Sequence, residues 1–378
     1  MRSRKMAKTS ARTMALAAML GLVLVATPAS GSVSTSAAPA GVTSATSAAL
    51  ATPKAATGVA TVNAKVVKKV VGKGTAKSCT AAALHKAVRT GGTITFNCGA
   101  APVTIKLTQT LRTCNTHNCK HGWQGGKALT KVTIDGGNKV TLDGQGKNGI
   151  FYANSCEPTF GWLTDRCDKQ KTLHVTFKNI TLKNGNATKG PKGKESVGGG
   201  GGGGAIAMRG NRLTVSNVTF TNNKCMKAHS DAGGGAIRVV GMTSTATIKN
   251  STFKGNKCAS GGAISSLGAP MKIIGSTITS NTATGSGASS GKGGNGGGVY
   301  FDGGSQNVTI ENTTITKNKA GKKAGGSGVF YVSNNRGGTL TIKKSTIKGN
   351  TGESFWTGKR HDLFYLGKKL VVSGSKID

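Results

Sequence analysis

The chain has 378 residues, with 51 Lys and Arg against 12 Asp and Glu, a net charge of +39, 59 Gly, 8 Cys and 4% aromatics. Glycine stands at about twice ordinary usage with only 7 Pro and no Gly-x-y period, which excludes collagen. So one-sided a charge predicts attraction to polyanions rather than any particular fold, and the scarcity of carboxylates leaves few candidates for acid–base or metal chemistry.

The chain opens on Arg2, Arg4, Lys5, Lys8 and Arg12, followed by the apolar run Met14 to Ala26 and the small residues Thr27-Pro28-Ala29-Ser30. A basic start, a short apolar run and a small-residue exit predict a secretory signal peptide over 1–29. The run is too short to span a bilayer. Residues 30–76 are Ala, Ser, Thr and Val with scattered Lys and no aromatic, so nothing large can be buried and a disordered linker is expected. The C-terminal segment shows neither an apolar tail nor a sorting motif. A secreted product is expected, extracellular or held at the envelope by charge, without a membrane span and monomeric.

In an exported protein an even cysteine count reads as disulfides. Cys114, His117, Cys119 and His121 match no standard zinc spacing, and a Cys114–Cys119 bridge is preferred there. Cys156 and Cys167 close a loop, CEPTFGWLTDRCD, in which Glu157, Asp165 and Asp168 form the one local acid cluster, accompanied by Trp162 and Arg166. That loop is a candidate sugar or metal site, weighed against a plain disulfide-closed surface loop.

The central signal is a repeat. NITLKNGNA (179–187), NVTFTNNKC (217–225), NSTFKGNKC (250–258), GSTITSNTA (275–283), NTTITKNKA (312–320), KSTIKGNTG (344–352) and GSKID (374–378) align. Four residues before each start stand Val175, Leu213, Ala246, Met271, Val308, Leu340 and Leu370. Two before stand Phe177, Val215, Ile248, Ile273, Ile310, Ile342 and Val372. Three after stand Leu182, Phe220, Phe253, Ile278, Ile315, Ile347 and Ile377. Alternation of period two in such short segments predicts strands with one buried face. Irregular steps of 38, 33, 25, 37, 32 and 30 residues with a constant internal phase predict stacked coils whose insertions become loops. The expected fold is all-β, a single-stranded right-handed parallel β-helix.

Six residues into the repeat stand Asn223, Asn256, Asn281, Asn318 and Asn350. An amide that bonds to the same amide one rung away predicts a buried asparagine ladder, and Asn also tolerates the left-handed bend of a tight corner. Eight residues in, Cys225 and Cys258 occupy equivalent positions on adjacent rungs. Rungs lie about 4.8 Å apart, within reach of a disulfide, so a Cys225–Cys258 staple is predicted. Ahead of the strands stand GGAI at 203–206, 234–237 and 261–264, GGVY at 297–300 and SGVF at 327–330, whose Ile, Tyr or Phe is expected to point inward.

GGAI combined with F-x-x-N (Phe220…Asn223, Phe253…Asn256) resembles the repeats of polymorphic outer-membrane proteins, β-helical passenger domains many of which act in adhesion. More widely, residues 77–378 resemble the pectate-lyase-like right-handed β-helix superfamily. That resemblance implies an N-terminal cap: a short amphipathic helix over CTAAALHKAV, apolar at Ala83, Leu84, Ala87 and Val88, tied by Cys79–Cys98 to the first strand. The catalytic signatures of pectate lyases and polygalacturonases are missing from this chain. Fold, not activity, is what the resemblance implies.

The insertions fall at one phase, at 188–202, 226–233, 259–260, 284–296 and 321–326, and loops at one phase of a solenoid share one side. They carry Lys189, Lys192, Lys194, Lys227, His229, Lys292, Lys322 and Lys323, with only Glu195 and Asp231 as acids. A basic ridge of this kind suits an extended polyanion such as an acidic polysaccharide or a cell-envelope polymer. Charge alone would also attract nucleic acid, but aromatics for base stacking are few. Asp135 and Asp143 lie in Asp-Gly turns, and Asp231 and Asp302 flank turns. The reading is a secreted, adhesin-like β-helix that binds carbohydrate polyanions without catalysis and without a cofactor. The alternative is a polysaccharide lyase that uses a Lys or Arg base and calcium.

Overall fold

Alternating apolar residues in strands of three to five residues can bury only one face, so each strand needs a neighbour above, below and across. The computed structural model describes residues 67–113, 129–155, 167–188, 201–353 and 361–378, which lie within the compact unit Asn63–Asp378. The strands wind into parallel coils with three faces. The first sheet has eight strands, among them Ile206–Arg209, Ile237–Val240, Ile264–Leu267, Val299–Asp302, Val329–Val332 and Leu363–Leu366, all parallel. The second includes Ala246–Lys249, Met271–Ile274, Val308–Glu311 and Thr339–Lys343. The third includes Thr252–Lys254, Thr277–Thr279, Thr314–Thr316 and Thr346–Lys348.

The apolar columns stack in the expected register. Val175 pairs with Leu213, Met271 with Val308, Val308 with Leu340, and Phe220 with Phe253. Their side chains form one continuous core, in which the Phe220 and Phe253 rings stack at 4.5 Å. The last coil is less enclosed: Leu370 and Ile377 are half-buried and Val372 is 38% exposed.

Second and third sheets meet at a corner that falls on the first residue of each repeat. Asn179, Asn217, Asn250, Gly275, Asn312, Lys344 and Gly374 all have φ between 47° and 59° there. Only the left-handed region closes so tight a bend, which explains the Asn and Gly preference. The next residue points inward and builds a hydroxyl ladder that the sequence reading had not marked. Ser251 Oγ accepts from Val218 N at 3.2 Å, Ser276 Oγ from Ser251 N at 3.2 Å, Thr313 Oγ1 from Ser276 N at 3.3 Å, and Ser345 Oγ from Thr313 N at 3.1 Å.

The asparagine ladder runs down the following turn. Asn223 Nδ2 donates to Asn256 Oδ1, Asn256 Nδ2 to Asn281 Oδ1 and Asn281 Nδ2 to Asn318 Oδ1, each at 2.9 Å, and Asn318 Nδ2 to Asn350 Oδ1 at 2.8 Å. Each amide also donates to a backbone carbonyl of the preceding coil, as Asn256 does to Phe220 O at 3.1 Å. The left-handed bend expected at these asparagines belongs instead to the residue before each, at Asn222, Gly255, Ser280, Lys317 and Gly349.

A 10-residue helix, α1 (Ala81–Thr90), closes the first coil. Thr80 caps it by accepting from Ala83 N at 3.2 Å, and Leu84, His85, Ala87 and Val88 are buried against the core while Ala83 is half-buried. Cys79 and Cys98 are bonded, with Cα atoms 5.6 Å apart. Lys68–Val71 falls inside the segment expected to be linker, yet it is a strand that pairs with Gly92–Phe96. Val71 is buried in the core while Val70 stays exposed, so one apolar anchor and the backbone pairing extend the sheet by one strand, and the ordered unit therefore starts before residue 77.

One phase differs from expectation. Ile264 pairs with Val299 and Val299 with Val329, so the inward column is Ile206, Ile237, Ile264, Val299, Val329 and Leu363. Tyr300 and Phe330 align instead with Arg238 and Ser265 on the outer face. Gly298 and Gly328 take the place of the alanine of GGAI, which moves the motif by one residue, and a one-residue shift sends a side chain to the other face of a strand.

The outer face of the third sheet carries a column of threonines. Thr104, Thr141, Thr181, Thr219, Thr252, Thr277, Thr314 and Thr346 are successive register partners.

Candidate polyanion-binding ridge

The loops between third and first sheets rest on a small core of their own. Cys225 and Cys258 are bonded with Cα atoms 4.7 Å apart, and with Ala232 and Ala259 they form a buried cluster against Ala187 and Met226. The staple predicted from the repeat phase is present. Above it the loops pack backbone to backbone. Thr284 Oγ1 donates to Lys227 O at 2.8 Å, Gly294 N to Ala259 O at 2.8 Å, Ala288 N to Lys323 O at 3.1 Å, and Gly321 N to Gly294 O at 2.8 Å. A Cβ on Gly293 would sit 2.8 Å from His229 O, so only glycine allows this approach.

Lys227, Lys292, Lys322 and Lys323 are exposed on these stacked loops, and His229 is half-buried, accepting from Asp231 N at 3.2 Å through Nδ1. Lys189, Lys192 and Lys194 lie outside the described residues, as do Glu157, Trp162, Asp165 and Arg166, the signal peptide, most of the linker, and the Cys114–Cys119 and Cys156–Cys167 pairings.

The coil adds cations that the loop reading overlooked. Immediately after the ladder asparagines stand Lys224, Lys257, Thr282, Lys319 and Thr351, bridged rung to rung. Lys224, Lys257 and Lys319 are exposed, and among the described residues no carboxylate lies within ion-pair distance of them. Directly opposed like charges on neighbouring strands cost stability. Their signal was in the repeat itself, as the lysine of N-K-C and N-K-A.

Four of the described aspartates are committed to turns and pairs away from the ridge, while Glu353 lies on it, accepting from Lys323 N at 2.6 Å. Asp135 accepts from Gly137 N at 3.1 Å and Asn179 Nδ2 at 3.0 Å and pairs with Lys178 at 3.0 Å. Burial pushes its carboxyl up, but the bonds from Asn179, Lys178 and Gly137 outweigh it and hold the group below the usual carboxylate range. Asp143 likewise holds a turn, through Gln145 N at 2.7 Å, and pairs with Lys183 at 3.6 Å. Asp168, one of the five acid-loop candidates, makes a two-pronged pair with Arg209, Nε at 2.6 Å and Nη2 at 3.1 Å. Asp302 accepts from Tyr300 Oη at 2.7 Å and Asn334 Nδ2 at 3.0 Å. Among the described residues no group of three or more His, Cys, Asp and Glu is placed to hold a metal.

The outer face of the first sheet is closed, with Arg238 and Ser265 set among aromatic and small side chains. Arg238 is fully buried, its Nη1 3.4 Å from Ser265 Oγ, beneath Gly202 and Gly233. A Cβ on Gly202 would come within 2.7 Å of Arg238 Cδ. Burial lowers the guanidinium to about 10, against the opposing pull of Tyr300 and Asp231. Burial and the neighbouring Asp302 raise the Tyr300 hydroxyl well above its ordinary value. Tyr300, Phe330 and Phe364 stack along the rungs at 5.3 Å and 4.7 Å. An arginine without exposed surface cannot reach a proton on a bound polymer, so this strip serves the packing of the loops.

Residues 233–364 match the family model described as a right handed beta helix region. The fold is a right-handed parallel β-helix. The match carries that fold and neither of the finer resemblances, to pectate lyases or to outer-membrane repeats. No curated protein and no solved structure matches the chain. No helix among the described residues is long and apolar enough to cross a membrane.

Proposed function

We propose that this protein is a secreted β-helix that binds acidic polysaccharide or a related anionic cell-envelope polymer, without catalysis. The observation that carries the reading is the row Lys224, Lys257 and Lys319 beside the loop lysines 227, 292, 322 and 323. These cations outnumber the described carboxylates of the same loops, Asp231 and Glu353, the latter accepting from Lys323 N at 2.6 Å; the excess charge repels itself in the free protein, and a polyanion relieves that repulsion. Five of the described acids, Asp135, Asp143, Asp168, Asp302 and Asp362, are occupied in turns, in ion pairs and at the end of the asparagine ladder, which supports a reading without catalysis.

The test incubates the protein with pectate, alginate, hyaluronan and chondroitin, with and without calcium, and follows the absorbance of unsaturated uronate ends. A flat trace together with salt-sensitive co-sedimentation is the expected result. A rising absorbance, abolished by chelator or by one Lys or Arg substitution, would instead establish a lyase.

A further inference from the structure

The third sheet offers a second surface, distinct from the loops. Its threonine column, Thr104 to Thr346, is unbroken, and every member is exposed or partly exposed. Among the described residues, no hydrogen bond engages the hydroxyls of Thr219, Thr252, Thr277 or Thr314. The column spans seven rung steps, about 34 Å. In two coils a pair of exposed lysines flanks it: Lys249 and Lys254 about Thr252, Lys343 and Lys348 about Thr346. Among the described residues none of these four makes an ion pair, and the flank carries one acid, Glu311, the register partner of Lys343 on the neighbouring strand. Earlier along the coil, Lys178 and Lys183 flank Thr181 in the same way, but each is already paired with an aspartate.

We propose that an extended, linear acidic polysaccharide lies along the solenoid axis over this column, with threonine hydroxyls beneath it and lysines on both flanks. This rests on the polyanion-binding reading and gives it a face and a direction. The rung spacing of about 4.8 Å is close to the rise of one sugar along an extended 1,4-linked chain, so successive sugars meet equivalent hydroxyls. The flanking cations exclude a neutral polymer as the favoured occupant and oppose a second copy of the same face. The column offers hydroxyl groups and no aromatic ring, which suits sugars rather than bases.

The test compares the full chain with T219V/T252V/T277V/T314V, K249S/K254S and, on the loops, K322S/K323S, in co-sedimentation and titration with polygalacturonate and hyaluronan across a salt series. Valine keeps the shape and strand preference of threonine while removing the hydroxyl. The expected result is an affinity loss of about tenfold or more in the valine variant, with the dependence on salt unchanged. K249S/K254S should flatten that dependence. Lysine acetylation mapped by mass spectrometry adds a readout on the unaltered protein: polymer should protect Lys249, Lys254, Lys343 and Lys348 more than Lys322 and Lys323. A valine variant that binds like the parent, or protection confined to the loop lysines, overturns the assignment while leaving polyanion binding in place. A parent protein that retains neither polymer at low salt overturns the polyanion reading itself. Equal binding to crystalline cellulose at high salt would show a neutral surface instead.

Discussion

Asn350 and Asp362 form the end of the asparagine ladder. Asn350 Nδ2 donates to Asp362 Oδ2 at 2.9 Å, its backbone N–H donates to the same oxygen at 3.3 Å, and Asp362 is 1% exposed. A stack of amides that each donate to the next must finish on an acceptor, and a carboxylate that only accepts is the natural last member. At the other end Gly185 stands where an asparagine would be, and its backbone N–H donates to Asn223 Oδ1 at 2.8 Å.

Removing that acceptor leaves buried donors without partners. Asp362→Ala is expected to cost about 1–3 kcal/mol, measured as a lower urea midpoint. Asp362→Asn, which keeps an acceptor oxygen, should recover part of it. Equal midpoints for Asp362→Ala and the parent would show that the ladder does not need its terminal carboxylate.

Within the ladder the loss is larger. Asn281 accepts from both the backbone and the side chain of Asn256 and donates to Asn318 and to Phe253 O. Asn281→Ala should cost about 2–4 kcal/mol, because several buried groups lose partners together. Native-state hydrogen exchange should locate the loosening at the turns of the two adjoining coils.

The Cys225–Cys258 bridge closes a segment with a sequence separation of 33. A non-reduced digest should recover that pair. The double variant Cys225→Ser/Cys258→Ser should lose about 3–4 kcal/mol by chain-entropy reasoning. Recovery of either cysteine joined elsewhere would break the rung register.

Asp135 sets a pH dependence. Its folded carboxyl titrates below its ordinary value of 3.8. The ionised form is therefore the one that folding favours, and its contribution is fully present above about pH 4 and fades as pH falls through the lower, folded value. The difference in melting temperature between the parent and Asp135→Asn should shrink as pH drops from 5 to 2. A difference that stays constant across that range would mean the carboxylate charge is not the source.

Binding and stability should move in opposite directions for the stacked lysines. Lys224→Ser/Lys257→Ser/Lys319→Ser relieves the one directly opposed pair, Lys224 and Lys257, since Lys319 lies between Thr282 and Thr351, and is expected to raise the urea midpoint slightly, by about 0.2–1 kcal/mol at low salt. The same change should weaken retention on polygalacturonate and flatten its salt dependence. Weaker binding together with lower stability would assign these residues a structural role.

Much of this molecule was legible before folding was considered. A strand has period two and a coil repeats its phase, so three apolar columns, the asparagine ladder and the Cys225–Cys258 pair could be placed from residue spacing alone. The left-handed bends were not: they were expected at the ladder asparagines, yet fall on the residue before each and on corner residues such as Asn217 and Asn250. What sequence could not decide is which outward side chains share a face and what covers them. Tyr300 and Phe330 look like residues of the central core in a linear reading, yet register with Ser265 puts them on the outer face of the sheet, buried there at 5% and 4% exposure. Arg238 looks like a surface cation, yet loops closing over Gly202 and Gly233 bury it completely. The lysines 224, 257 and 319 become a row, and the threonines a column, only when residues dozens of positions apart are stacked at the rung spacing, because lateral neighbours in a solenoid are set by winding rather than by chain order.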